Sequence, residues 1–240
     1  MTTEAKALYS AIVLGATGNV GGRIVQLLIK NPRCEKVVVV TRRKMDTFAD
    51  PKVSAVVVNM DRLEEEIAPY AHGVDVALAA FGVGKGSAKM PEEEVRKIEI
   101  AYPQAFCRAA KAGGARVCGL MTAVGADPAA GMKYARIVGE KEKAVESVKF
   151  DFLGVYRPAV ILGNSNTPGV LGYVMPLVHW AMPSKYHSIH KNDLARAMVA
   201  QSEQAFLAIA QGNAPKNPTV RILEYKQMQP FFARGERGEP

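Results

Sequence analysis

A doubly wound parallel α/β sheet is the fold class that this sequence of 240 residues predicts. Two observations carry that expectation. Short β-branched runs alternate along the chain with longer stretches of helical periodicity, the sequence form of repeated β-α units. Most of the runs are also continuously apolar, as strands covered by helices on both faces are, where a sheet with one wet face would alternate. With 48% hydrophobic and 22% charged residues the composition is ordinary for a globular chain and supplies a sizeable core.

The first strand, residues 9–14, runs directly into Gly15-Ala-Thr-Gly18-Asn-Val-Gly21-Gly22, and a helix over 19–30 opens inside that glycine-rich turn. A second strand, 36–41, ends in Thr41-Arg42-Arg43-Lys44, and a third, 53–59, ends in Asn59-Met60 before a helix over 62–68. The fourth, 74–81, closes on Phe81-Gly82-Val83-Gly84 and leads to a long helix, 92–112. The fifth, 116–121, closes on Met121-Thr122 before a helix over 132–148, and the sixth, 151–156, closes on Tyr156-Arg157-Pro158. Right-handed crossovers between these strands place helices on both faces of the sheet. After Pro158 the alternation stops: residues 163–183 are rich in Gly, Pro and Asn, and a last helix, 191–210, precedes a late edge strand, 219–223. A single domain over 1–233 is expected, with a small substrate-side segment at about 159–190 and a flexible tail at 234–240 that lacks apolar residues. Within that segment Tyr173, Met175, Trp180 and Met182 form an apolar cluster that fills core or walls a substrate pocket.

Lys and Arg number 31 against 23 Asp and Glu, a net charge of +8 that suits an anionic partner. The basic residues are dispersed apart from Arg42-Arg43-Lys44, and no helix carries a basic stripe interleaved with aromatics, so a phosphate-bearing small ligand is expected rather than nucleic acid. The longest apolar runs, 37–40 and 74–81, fall far short of the roughly 20 residues that cross a bilayer, so no membrane span is expected. The N-terminal residues lack the basic and apolar regions of a secretory signal. Cys34, Cys107 and Cys118 are scattered, which fits a reducing compartment, and a cytoplasmic location is expected. His187-x-x-His190 has no third ligand candidate beside it, so no metal site is expected.

The glycine turn carries the strongest chemical signal. A turn this tight needs conformational freedom, close approach of a pyrophosphate needs a backbone without Cβ, and the helix end supplies oriented N–H groups with a positive dipole. Strand before and helix after make it a dinucleotide-binding turn of the Rossmann type, with Gly15, Thr17, Gly18, Asn19, Val20 and Gly21 against the cofactor. In such sites an acid at the end of the second strand binds the ribose of NAD, whereas arginine accommodates the 2′-phosphate of NADP. Arg42 and Arg43 stand there with no carboxylate, so NADP is the expected cofactor. The glycine in Phe81-Gly82 lets the fourth strand's end pass close to the same ligand.

The glycine spacing is G-x-x-G-x-x-G. Together with Thr41-Arg-Arg-Lys44, Phe81-Gly82, Ala112-Gly-Gly114, Gly125-Ala-Asp127, Tyr134, Tyr156-Arg-Pro158 and His190-Lys-Asn-Asp193 it resembles the atypical short-chain dehydrogenase/reductases. More narrowly the chain is similar to the Tat-interacting-protein-like oxidoreductase family, with NmrA-like proteins as more distant relatives. The resemblance implies that Asn59 and Met60 meet the adenine edge and that the backbone at Arg157 and Pro158 lies along the nicotinamide. It also implies a catalytic set of Ser or Thr to hold the substrate, Tyr as acid, and Lys four residues later. Thr122 and Tyr134 fill the first two places, while the third holds Val138, which donates no hydrogen bond. Lys141 lies on nearly the same helix face but about 10 Å further along the axis, and Lys133 is turned about 100° away, so neither replaces the missing lysine directly. Without that cation Tyr134 is expected to keep a phenol pKa of about 10.

Two functions follow. The first is an NADP(H)-dependent oxidoreductase on a carbonyl or hydroxyl compound whose identity the sequence does not give. The second is a cofactor-binding sensor or interaction module with weakened chemistry, and Val138 is the residue that separates them. The resemblance also admits a protein partner, because the family includes proteins tied to transcription and trafficking.

Overall fold

Strand β1 (Tyr9–Leu14) is buried throughout and sorts its side chains by parity: Tyr9, Ala11 and Val13 enter one core layer, Ile12 and Leu14 the other. β2 (Cys34–Thr41) repeats this, with Val37 and Val39 on one side and Val38 and Val40 on the other. The continuously apolar runs are thus period-two patterns with both faces covered. The computed structural model describes residues 7–44, 47–84, 89–163 and 182–232.

The remaining strands are β3 (Val53–Val57), β4 (Val76–Ala79), β5 (Val117–Met121), β6 (Phe152–Tyr156), the short β7 (Ile161–Leu162) and β8 (Ile189–His190), and β9 (Thr219–Leu223). Seven of them form one sheet in the order β3-β2-β1-β4-β5-β6-β9, and every pairing is parallel. The helices are α1 (Asn19–Lys30), α2 (Leu63–Ala71), α3 (Glu92–Arg96), α4 (Tyr102–Ala112), α5 (Lys133–Glu146), α6 (Lys191–Ala210) and α7 (Tyr225–Met228). α1 and α6 pack together over one core layer, and α2 and α4 over the other. The strand order reverses between β1 and β4, so the loops leaving these two strands diverge and open a crevice at the carboxyl edge of the sheet.

Several elements differ from expectation, β4 among them, which spans Val76–Ala79 and not 74–81. β3 stops at Val57 because Asn59 turns the chain, its Oδ1 accepting from the Asp61 N–H at 3.0 Å to cap a 3₁₀ turn, Met60–Arg62. The long helix over 92–112 is broken: α3 gives way to a π-helical turn, Lys97–Ala101, before α4 resumes. Pro103 is the physical reason, since it has no N–H for the Glu99 carbonyl and its ring crowds that oxygen, forcing a wider turn. β7 and β8 pair as a separate parallel ribbon of two residues each, too short to leave a sequence pattern. Residues 164–181, and with them Tyr173, Met175 and Trp180, lie outside the described residues, as does the expected tail; Met182 is half-buried. Among the described residues no helix is long and apolar enough to cross a membrane.

Candidate active site

Gly15 leaves β1 at φ +94°, where a Cβ would stand 2.3 Å from the Ala80 carbonyl oxygen, and at Gly21 a Cβ would stand 2.1 Å from the Gly15 oxygen. These two positions need glycine for the fold itself, which presses the turn onto the end of β4 and α1 onto the turn. Gly18 differs: its φ is −82°, and a Cβ there would meet only the Gly15 oxygen, at 3.2 Å. It is the N-cap of α1 with no side-chain cap, and no acid occupies the first turn of that helix. Thr17 and Gly18 are exposed, Asn19 is half-buried, and Val20 is anchored in the core below. An uncapped, positively polarised helix end beside an open glycine fits a pyrophosphate.

At the end of β2 the Thr41 hydroxyl donates to the Arg43 carbonyl at 2.9 Å and accepts from its N–H at 3.3 Å, a local turn that leaves Arg42 and Arg43 exposed. Arg42 walls a cleft of about 380 Å³ together with Asn59, Met60, Lys97 and Tyr102. Neither Arg42 nor Arg43 pairs with a carboxylate among the described residues, whereas Arg62, Arg96, Arg108, Arg116 and Arg157 all do. Among the described residues nothing competes with an outside anion for these two guanidiniums.

The end of β4 is organised by a residue that sequence reasoning missed. Glu99, in the π-helical segment and 1% exposed, accepts the Val83 N–H on Oε1 at 2.9 Å and Lys141 Nζ on Oε2 at 3.1 Å. Lys141 donates also to the Phe81 carbonyl, at 2.8 Å. A Cβ on Gly82 would lie 2.7 Å from Glu99 Oε1, so glycine there admits the carboxylate. The Tyr134 hydroxyl donates to the same Oε1 at 3.4 Å. Although Tyr134 as a whole is 37% exposed, desolvation around its hydroxyl, with the Glu99 carboxylate beside it, pushes the phenol above its usual pKa, which corrects the ordinary value expected from the sequence.

A second carboxylate holds Thr122. Its hydroxyl donates to Glu142 Oε1 at 2.7 Å, and Arg157 grips the same group through Nε at 2.9 Å and Nη2 at 2.5 Å. That pairing raises the Arg157 pKa. The Pro158 carbonyl accepts from the Val124 N–H at 2.9 Å, tying the β6 end to the β5 end. Thr122 and Tyr134 thus each hand their proton to a carboxylate of their own. Both carboxylates carry a sequence signal in hindsight: Glu99 interrupts the apolar stripe between Val95 and Phe106, and Glu142 sits one turn beyond buried Val138.

A family model described as NAD(P)H-binding matches residues 15–205, from the glycine turn through most of α6. The chain belongs to the NAD(P)H-binding family. It is 31% identical over 166 residues to the mitochondrial protein FMP52 of Candida albicans, covering 68% of this chain and 72% of that protein. With HTATIP2 of Rattus norvegicus it shares 32% identity over 156 residues, 64% of this chain and 63% of that protein, in agreement with the resemblance that the motifs carry. Among solved structures, the Bordetella bronchiseptica enzyme WbmH in complex with NAD+ superposes with a TM-score of 0.61 at 16% identity, over 90% of this chain and 86% of that one, a likeness of fold.

For this member of the NAD(P)H-binding family the expected cytoplasmic location is overturned. FMP52 relatives from several fungi are named mitochondrial. The three free thiols are buried, with Cys107 and Cys118 Sγ 3.7 Å apart, and a reducing compartment of the kind the sequence suggested does not single out the cytoplasm.

Proposed function

We propose that the chain is an NADP(H)-dependent oxidoreductase acting on a small hydroxyl or carbonyl compound, at home in mitochondria as its FMP52 relatives are named to be. The observation that carries the cofactor choice is the pair of guanidiniums at the end of β2, Arg42 and Arg43, that meet no carboxylate among the described residues, with Arg42 in the cleft that Asn59 and Met60 also line. A 2′-phosphate offers them charge-assisted bonds. In this reading the turn from Gly15 to Gly21, with Thr17, Asn19 and Val20, receives the pyrophosphate. Phe81 and Gly82 flank its ribose side, and the backbone at Arg157 and Pro158 borders the nicotinamide, which when bound exchanges a hydride with substrate. Thr122 orients the substrate and Tyr134 moves its proton.

Titration of the purified protein with NADPH and NADH, followed by cofactor fluorescence, tests this. Tighter binding of NADPH is expected; equal or reversed affinities contradict the 2′-phosphate site. A second reading, a cofactor-binding module without turnover, is favoured by the raised Tyr134 pKa and would be distinguished by cofactor binding with no turnover of carbonyl probes with NADPH or of alcohol probes with NADP+.

A further inference from the structure

We infer that Glu99 is the proton acceptor behind Tyr134, and that the site is therefore arranged for oxidation of a hydroxyl substrate. This rests on the oxidoreductase reading and deepens it by naming a proton path and a substrate class.

The geometry is specific. Glu99 Oε1 is the acceptor of the Tyr134 hydroxyl, at 3.4 Å, a separation of the kind that shortens when a ligand closes the site. The far side of the same carboxylate carries Lys141, and both side chains are almost wholly withdrawn from water, at 1% for Glu99 and 2% for Lys141. Tyr134 and Lys141 are seven residues apart on α5, nearly two full turns, so they project from one face and converge on the group between them. The cation that a lysine at position 138 would have set beside the phenol instead stands behind a carboxylate. That changes the relay: a lysine would stabilise the phenolate itself, whereas this carboxylate opposes the phenolate and instead gives the phenol's proton an acceptor as the phenol takes up another proton from the substrate.

The hydroxyl of Thr122 points the same way. Its proton goes to Glu142 Oε1 at 2.7 Å, so what it can offer a ligand is a lone pair. Tyr134, once its proton is committed to Glu99, likewise presents an acceptor. Two acceptors suit a substrate O–H and leave a carbonyl oxygen without a donor. In the oxidising direction the carbinol C–H bond yields hydride to the oxidised nicotinamide, and the O–H bond yields its proton to the Tyr134 oxygen. Tyr134 passes its own proton to Glu99, leaving a carbonyl product, the reduced cofactor and a neutral carboxyl at 99. Glu99 touches neither substrate nor cofactor and is a positioning residue acting through Tyr134.

The test has one readout without cofactor and one with it. In the cofactor-free protein, the tyrosinate absorbance that Tyr134→Phe removes should appear at lower pH in Glu99→Gln, because an amide no longer opposes the phenolate; an unchanged midpoint overturns the contact. With saturating NADP+ and a secondary benzylic alcohol as probe, Glu99→Gln should lower kcat by about 100-fold, and Glu99→Asp should recover part of the rate. Should Glu99→Gln fail to fold, Glu99→Gln with Lys141→Met, which leaves no charge buried, takes its place. A wild type that oxidises the probe no faster than Glu99→Gln overturns the proton path and leaves the oxidoreductase reading standing. A wild type that binds NADP+ and oxidises no probe overturns both.

Discussion

Lys141 Nζ lies 3.1 Å from Glu99 Oε2, deep under the loop that leaves β4. The pair fixes that loop from below, since Lys141 holds the Phe81 carbonyl and Glu99 holds the Val83 N–H on either side of Gly82. A buried ion pair of this sort adds little net stability over an apolar pair, but breaking it leaves a charge without a partner in a medium that solvates it poorly.

Lys141→Met should therefore destabilise the protein by about 3–5 kcal/mol, and the added change Glu99→Gln should restore much of the loss. Urea unfolding of wild type, single and double variants measures this. Additive losses in the double variant would mean that the two side chains do not compensate each other.

Gly18→Val should leave the chain folded and abolish NADPH binding, because Gly18 needs no left-handed φ and its Cβ direction is blocked by one oxygen alone. Gly15→Ala, at φ +94° and 2.3 Å from the Ala80 oxygen, should instead lose more than about 3 kcal/mol of stability. Circular dichroism and cofactor fluorescence on the same samples separate the two. Retained binding by folded Gly18→Val would make that glycine structural only.

His190 caps α6, its Nδ1 accepting the Asn192 N–H at 3.3 Å. Partial burial lowers its pKa, Lys191, Arg196 and Arg23 push the same way, and Asp193 opposes them. A folded value below the unfolded one means that protons bind the unfolded chain more readily, so stability is full above about pH 6.5 and falls as pH drops through the folded value. Protonation also removes the capping lone pair and places a cation on a helix N-terminus. His190→Asn keeps an acceptor that does not titrate. Between about pH 7 and pH 5 the wild type should lose more thermal stability than this variant, and parallel losses would show that the cap is indifferent to protonation.

The sheet was legible because its strands are buried on both faces: a run such as Val37 to Val40 has no other comfortable place in a chain of this composition. The glycine turn and Arg42-Arg43 were legible because their chemistry is local, within a few residues of a strand end. The carboxylates were not. Glu99 is 42 residues from Lys141 along the chain, and only the fold brings the two together. Val138 invited an argument from i and i+4 neighbours, whereas the cation enters from i+7 and reaches Tyr134 only through a third residue. β7 and β8, of two residues each, carry no periodicity at all.

The most direct test of the account is the cofactor preference of Arg42→Ala and Arg43→Ala. Removing a charge-assisted contact costs about 1.5–3 kcal/mol, so each variant should weaken NADPH by roughly 10- to 100-fold while leaving the NADH affinity nearly unchanged. Equal losses for both cofactors, or no loss for either, would contradict a 2′-phosphate site at the end of β2.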